Sequence, residues 1–320
     1  MPVVVTGSAY SGEVLEHLLV RATTSNELVE QGHINLVPNV IKKYTLPRIK
    51  TGRVLQKRKE QPQTSDSKGN VTYDERSLEP QEFMAYTEFN PRAFESIWRP
   101  FQPKGPLVFA ELNPTVQNVL LAELAKVVDF ELGENFVVGV HGSGETQFFN
   151  GILTRMKTDP DVVRIPNPTT ITEANIINIL TDIAAKVPKA IRKNPDLKIF
   201  MSYEDFTLYD NVITKSFKGK GWDETNNAKF KGIQIASLAT MPVGNIFCTI
   251  GNTSINSNLW AGVSFVDDAE AVLIGKVTNS GELYFFKMLM KADTQIAFGE
   301  DAVLYSVDAP AIVVDEPVAP

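Results

Sequence analysis

Three histidines, one cysteine and a few glycine-flanked hydroxyls are the residues from which this sequence could build a reactive site. His17, His33 and His141 lie far apart and form no H-x-x-x-H pair, so histidine-rich metal chemistry lacks the spacing it needs. A single cysteine, Cys248, excludes an intrachain disulfide framework and a cysteine-rich zinc site. It sits in the apolar run Ile246, Phe247, Cys248, Thr249, Ile250 and reads as a small buried side chain in a reducing compartment. Gly142-Ser143-Gly144 fails three tests. The positions two residues either side of Ser143 are His141 and Glu145, so there is no nucleophile elbow. No lysine follows to complete a phosphate loop. Position 147 is Gln where a dinucleotide fingerprint needs glycine. The stretch reads as a tight turn leaving a strand or helix end. Asp267-Asp268-Ala269-Glu270 reads as a solvated turn, and Lys218-Gly219-Lys220-Gly221-Trp222-Asp223 as a mobile surface loop, not an anion site. His33 and His141 flank glycines at element ends, where histidine meets terminal carbonyls. The sequence therefore predicts no catalytic residue, no metal and no cofactor.

The elements that surround these residues suggest a different use. The chain has 320 residues, enough for about two domains, and its 43% hydrophobic and 22% charged content is that of a core-forming protein. No window approaches the ~18 consecutive apolar residues of a membrane span, and no secretory signal is expected at the N-terminus. A net charge of −7 argues against gripping nucleic acid as the main task, because phosphate neutralisation supplies most of that affinity.

Ser11 to Ala22 carries apolar residues at helical spacing, and Thr24-Ser25-Asn26-Glu27 announces a second short helix stopped by Gly32. Both are too short to stand alone in water, so residues 1–47 read as an arm packed on the body of this chain or on a neighbour. Phe83 to Phe89 alternates as a strand, and Asn90-Pro91 starts a short helix to Trp98. Asn113 as N-cap, Pro114 at the first helical position and Gly133 as stop predict a long helix of about 28 Å. A second long helix is expected from Thr172 to Lys193, capped by Thr170 and Glu173 and shortened or kinked by Pro188. Strands are expected at Leu197–Met201, Ile233–Leu238, Asn245–Ile250, Ala261–Phe265, Ala271–Val277, Leu283–Ala292 and Val303–Val307, with a helix from Ser202 to Thr214 and a loose tail after Asp308.

Residues 48–82 stand apart. Arg48 to Glu60 holds six basic residues (Arg48, Lys50, Arg53, Lys57, Arg58, Lys59) and one acidic. Asp66 to Glu82 holds five acidic residues, among them Asp74, Glu75 and Glu79, and two basic. A polar, turn-forming stretch separates the limbs. This predicts a long extended hairpin with little core of its own, either a flexible surface loop or an arm lying across a partner subunit so that its two limbs meet complementary charges on adjacent copies. Arg48, Lys50, Arg53, Lys57, Arg58, Lys59, Asp74, Glu75 and Glu79 are the candidate intersubunit residues.

With an arm, a charged hairpin, a long capped helix and a mixed α+β body, the sequence resembles tailed-phage major capsid proteins of the Hong Kong 97 type over nearly its whole length. The most telling segment is the long helix, then Val137-Val138-Gly139-Val140-His141-Gly142-Ser143-Gly144, then Asn150-Gly151-Ile152-Leu153, where Asn150 holds a place at which proline is common in the family. Leu197-Lys198-Ile199-Phe200-Met201-Ser202 with Tyr209 resembles the axial domain. Trp260-Ala261-Gly262-Val263, Gln295-Ile296-Ala297-Phe298-Gly299 and Val303-Leu304-Tyr305 resemble the closing strands of the peripheral domain. The resemblance implies an α+β fold with an N-terminal arm (1–47), an extended loop (48–82), a peripheral domain (83–171, spine helix 114–132, and 259–308), an axial domain (172–258) and a tail (309–320). It implies a non-enzymatic shell subunit of a virion, assembled in the host cytoplasm as hexamers and pentamers of itself. Portal, scaffolding or decoration proteins are its expected partners, packaged DNA touches it only weakly from inside, and no membrane is involved. An encapsulin-like nanocompartment is the alternative within the fold, and a cytoplasmic hydrolase the alternative outside it.

Overall fold

The strands follow two patterns: burial alternates along residues 284–291, while every residue of 197–202 and 245–250 is buried, as in a strand between two packed layers. The computed structural model describes residues 7–9, 27–61, 63–90, 104, 114–216, 228–265, 272–277 and 283–308. The expected helices at 11–22 and 91–98, the Asn113 cap, the Lys218–Asp223 loop, the acidic turn at 267–270, His17 and the tail at 309–320 lie outside the described residues.

The chain runs through β1 (Gly7–Ala9), α1 (Glu27–Glu30), β2 (Asn35–Pro38), β3 (Tyr44–Thr51), β4 (Val71–Leu78), β5 (Gln81–Phe89) and α2 (Pro114–Val138). It continues through α3 (Ile152–Thr158), β6 (Val163–Arg164), α4 (Ile176–Lys186), β7 (Leu197–Ser202) and α5 (Tyr203–Ser216). The remainder is β8 (Lys229–Phe230), β9 (Ile233–Leu238), β10 (Asn245–Ile250), β11 (Leu259–Phe265), β12 (Val272–Lys276), β13 (Tyr284–Ile296) and β14 (Val303–Ser306). The strands expected at 233–238 and 245–250 stand at those bounds, while β13 runs four residues past the expected Ala292.

β13 organises the first sheet. Its residues 284–288 pair with both β12 and β5, so those two strands lie on opposite edges. Residues 290–292 pair with both β11 and β5, so β11 follows β12 along the same edge, and β2 adds in parallel beyond β11. The second sheet has the order β6-β14-β10-β7-β9-β8. Its central strands β7 and β10 are buried at every residue. Phe200, Phe247 and Leu304 face one core, shared with Leu132 and Phe136 of α2 and with α3. Ile199, Met201, Ile246, Cys248 and Val303 face a second core roofed by Ile176, Leu180 and Ile183 of α4. β3 and β4 form a separate two-stranded hairpin.

Two expected helices have different bounds. α2 passes through Gly133 and ends at Val138, giving 25 residues or about 37 Å. Leu132, Phe136 and Val137 continue its buried face, and that burial outweighs the modest helix penalty of one glycine. The obligatory glycine is Gly139: a Cβ there would meet the carbonyl oxygen of Asn135 and sit 2.6 Å from that of Phe149. Gly151 donates its N–H to the Gly139 carbonyl at 2.8 Å, so two glycines let the chain reverse tightly from α2 into α3. α4 is the other correction. It spans 176–186 and not 172–193; Asn175 holds the N-cap position without a side-chain cap bond, its Oδ1 accepting instead from the Thr172 N–H at 2.8 Å in the turn before the helix. At the far end Val187 leaves helical geometry just before Pro188, as the residue before a proline favours.

Candidate functional surface: the hairpin and its base

Two of the groups that could do chemistry, Cys248 and His33, are buried in the structure. The Cys248 thiol is fully buried, and burial pushes its pKa up to about 12. His141 does meet a carbonyl, that of Phe148, through Nδ1 at 2.9 Å. His33 does not. Its Nδ1 accepts from Lys198 Nζ at 2.9 Å, which leaves Nε2 to donate to Gln31 Oε1 at 2.9 Å. Burial first, and the Lys198 charge second, lower the His33 pKa to about 4. Gly142, Ser143 and Gly144 form an exposed bend after α2. Among the described residues no group of three or more His, Cys, Asp or Glu is placed to hold a metal ion, and no helix is long and apolar enough to cross a membrane.

The hairpin is the element with an unusual surface. Its strands begin at Tyr44 and end at Leu78, so the base lies four residues before the expected start at 48. Register places Leu46 opposite Arg76 and Arg48 opposite Asp74. Because side chains alternate, Tyr44, Leu46, Arg48 and Lys50 share one face with Leu78, Arg76, Asp74 and Thr72. That face lies on the body. Leu46 and Leu78 are buried against Trp260 and Ala297. Arg48 donates from Nε to Asp74 Oδ1 at 2.8 Å and from Nη2 to Asp74 Oδ2, and it caps the Ala297 carbonyl through Nη1 at 2.7 Å. Its guanidinium also lies 5.7 Å from the centre of the Phe298 ring. Arg76 donates to the Ile296 carbonyl at 2.9 Å and forms ion pairs with Asp159 at 2.5 Å and Asp161 at 3.6 Å. Farther out, Lys50 reaches Glu300 at 3.4 Å.

The opposite face carries Ile49, Thr51, Val71, Tyr73 and Glu75. Ile49 (65% exposed) lies directly across from Tyr73 (61%), with Val71 (67%) beside them. Beyond Thr51 the hairpin continues as an exposed tip in which Leu55 is 93% exposed. A 3₁₀ turn at Thr64–Asp66, closed by a capping box from Gln63, shapes its end. Lys59 binds Asp66, and this bond together with the Gln63 N–H lowers the Asp66 pKa. Long apolar side chains held in water on a preformed arm are the mark of a surface that another molecule covers.

The nine candidate intersubunit residues therefore divide. Arg53, Lys57 and Arg58 are exposed on the tip. Lys59 pairs within the tip, Glu75 accepts from Tyr73 Oη at 2.6 Å, and Glu79 pairs with Lys43 at 3.4 Å. Arg48, its side chain 7% exposed, is held inside the chain with Asp74, and Lys50 leans on Glu300. Sequence reasoning missed Arg76, Ile49 and Tyr73. The signal was the period of two in 44–50 and 71–78, which assigns them to their faces once the register is known. Where the hairpin leaves the body, a polar cleft of about 170 Å³ opens between Glu79, Gln81, His141, Asn150, Arg155 and Asp293. Asp293 Oδ1 accepts from Arg155 at 2.7 Å and Oδ2 from the Glu79 N–H at 2.9 Å, while burial raises its pKa against the pull of those partners.

No family model matches the sequence, and no curated protein matches it either. Solved structures do. A chain of the satellite phage P4 procapsid is 12% identical and matches with a TM-score of 0.57 over 91% of this chain and 98% of that one. The capsid of an empty GTA particle is 12% identical and gives 0.57 over 87% and 95%. The capsid of Myoviridae phage XM1 is 11% identical and gives 0.56 over 93% and 92%. The chain has the mixed α+β fold of phage capsid proteins.

Proposed function

We propose that this protein is the major shell subunit of a tailed phage of the Hong Kong 97 type, which self-assembles around a double-stranded DNA genome. The observation that carries this reading is the likeness to capsid chains over about nine-tenths of both partners. The exposed Ile49–Tyr73 face supports it, since a solitary protein has no use for such a surface on an arm. In this reading residues 1–47 are an arm and the hairpin is the extended loop. α2 is the spine helix of a peripheral domain that β11 to β14 help to close, and 172–258 form the axial domain. The exposed tip residues Arg53, Lys57 and Arg58 meet acidic groups on neighbouring copies within hexamers and pentamers. Portal, scaffolding or decoration proteins complete the particle in the host cytoplasm, and the subunit itself carries no catalytic role. The net charge of −7 fits a wall to which packaged DNA does not adhere.

Electron micrographs of the purified, expressed protein test this directly. Closed shells of uniform diameter support the reading. A protein that stays monomeric at every concentration and ionic strength by light scattering overturns it. Shells purified from their native source that hold folded protein and no nuclease-protected DNA would turn the assignment to a cargo compartment.

A further inference from the structure

The two arginines at the hairpin base have an unusual set of partners. β13 ends at Ile296, and the carbonyls of Ile296 and Ala297 are each taken by a guanidinium from a different hairpin strand: Arg76 of β4 at 2.9 Å and Arg48 of β3 at 2.7 Å. Each guanidinium is also neutralised by a carboxylate. Arg48 is hydrogen-bonded to Asp74 across the hairpin, and Arg76 lies in ion pairs with Asp159 and Asp161 of the turn after α3. The two strands are thus fastened to one point of the body by planar donors that fix direction as well as distance. Among the described residues nothing comparable ties the tip to the body.

We infer that Arg48 and Arg76 are positioning residues, which set the angle of the hairpin in the free protomer before any neighbour is met. The inference rests on the proposed shell function only for its consequence. A preset hairpin angle gives every copy the same starting reach, which favours regular closure over open, irregular contacts. It also means that the ordering cost of the hairpin is met during folding and not during assembly. Arg48 then serves assembly from within its own chain, without touching a neighbour.

The test measures the angle itself. Spin labels on Leu55→Cys at the tip and Ile255→Cys on the body report their separation in full-length protomers kept unassembled by dilution. Both sites are exposed, and the native Cys248 is buried beyond the reach of the label. The parent should show one narrow distance distribution. Arg48→Ala with Arg76→Ala should broaden and shift it while far-UV circular dichroism stays that of the parent, and on concentration the variant should give irregular sheets or open fragments in place of closed shells. If the double variant is insoluble, Arg76→Gln alone, which keeps the stem of the side chain, carries the same measurement. A distribution as narrow as the parent's in the folded variant overturns the inference, whatever the shells look like. A parent that never assembles but whose distribution broadens on substitution leaves the inference standing and removes the shell function instead.

Discussion

His33 sits where a change of charge is costly: the ring is buried, lies edge-on to Phe200 at 5.3 Å and is hydrogen-bonded by a lysine. Its pKa is lowered from 6.5 to about 4, so the folded state refuses a proton that the unfolded chain accepts. The stabilisation is fully present above pH 6.5 and is lost as the pH falls towards 4, a change of about 3 kcal/mol over that window. His33→Gln keeps a neutral hydrogen-bonding side chain and should flatten the fall in urea midpoint between pH 7 and pH 4. An unchanged slope would mean that the ring titrates freely. Asp205 works in the other direction. Its Oδ2 accepts the Gly244 N–H at 2.9 Å, its own N–H is capped by Ser202 Oγ, and Oδ1 is buried with no hydrogen-bond partner among the described residues. Burial raises its pKa, so its contribution to stability is present below the ordinary carboxylate range near 3.8 and declines as the pH rises through the raised value. Asp205→Asn should therefore melt above the parent at pH 7, with the gap closing as the pH approaches 3.8. Asp205→Ala should melt lower, by roughly 1–3 kcal/mol, because the Gly244 N–H is left unpaired. The Cys248 environment was legible from its apolar neighbours alone. The His33 environment was not, because its partner lies 165 residues away on β7 and no local pattern encodes such a meeting.

At the scale of elements, the turn from α2 to α3 depends on two backbones in contact. A Cβ at Gly151 would sit 2.7 Å from the Asn135 oxygen and 2.7 Å from the Gly139 nitrogen, and neither backbone atom can swing aside. Gly151→Ala and Gly139→Ala should each lower stability by about 3 kcal/mol or more, in the range of buried overpacking at its upper end, as read by chemical denaturation. Either variant matching the parent would show that the turn opens without loss. Periodicity made the existence of this helix plain, and Pro114 fixed its start. The end was misplaced at Gly133 because a glycine inside a buried helix looks, from sequence, the same as one that stops it. Packing of Phe136 and Val137 decides between the two, and packing is a property of the fold. The hairpin was legible as a hairpin from its two charged limbs and polar turn. Its anchorage was not, because Leu46, Leu78 and the carbonyls of 296 and 297 meet only in three dimensions. A deletion of 54–80 would thus remove Arg76 and the fully buried Leu78, and damage the body along with the arm.

For the whole molecule, the consequence is that the hairpin has two separable parts. The base belongs to the protomer and the tip to whatever the protomer joins. Replacing residues 53–69 by a two-residue Asn-Gly turn removes no fully buried residue among those described and leaves the Arg48 and Arg76 contacts in place. The shortened protein should keep the thermal stability of the parent and form no shells. Ile49→Glu and Tyr73→Glu ask the same question of single side chains. Each is more than half exposed in the protomer, so folding stability should move by no more than about 0.5 kcal/mol. In a shell each substitution is repeated in every subunit, and a loss of roughly 1–2 kcal/mol of apolar burial per contact multiplies across all of them. Assembly should then fail or require a much higher protein concentration, read as a shift in the onset of light scattering, while circular dichroism remains that of the parent. Shells that form at the parental concentration from both charged variants would show that this face looks into solvent in the particle, and the grip among copies would have to reside elsewhere, with the Val127 and Phe130 face of α2 the next surface to alter.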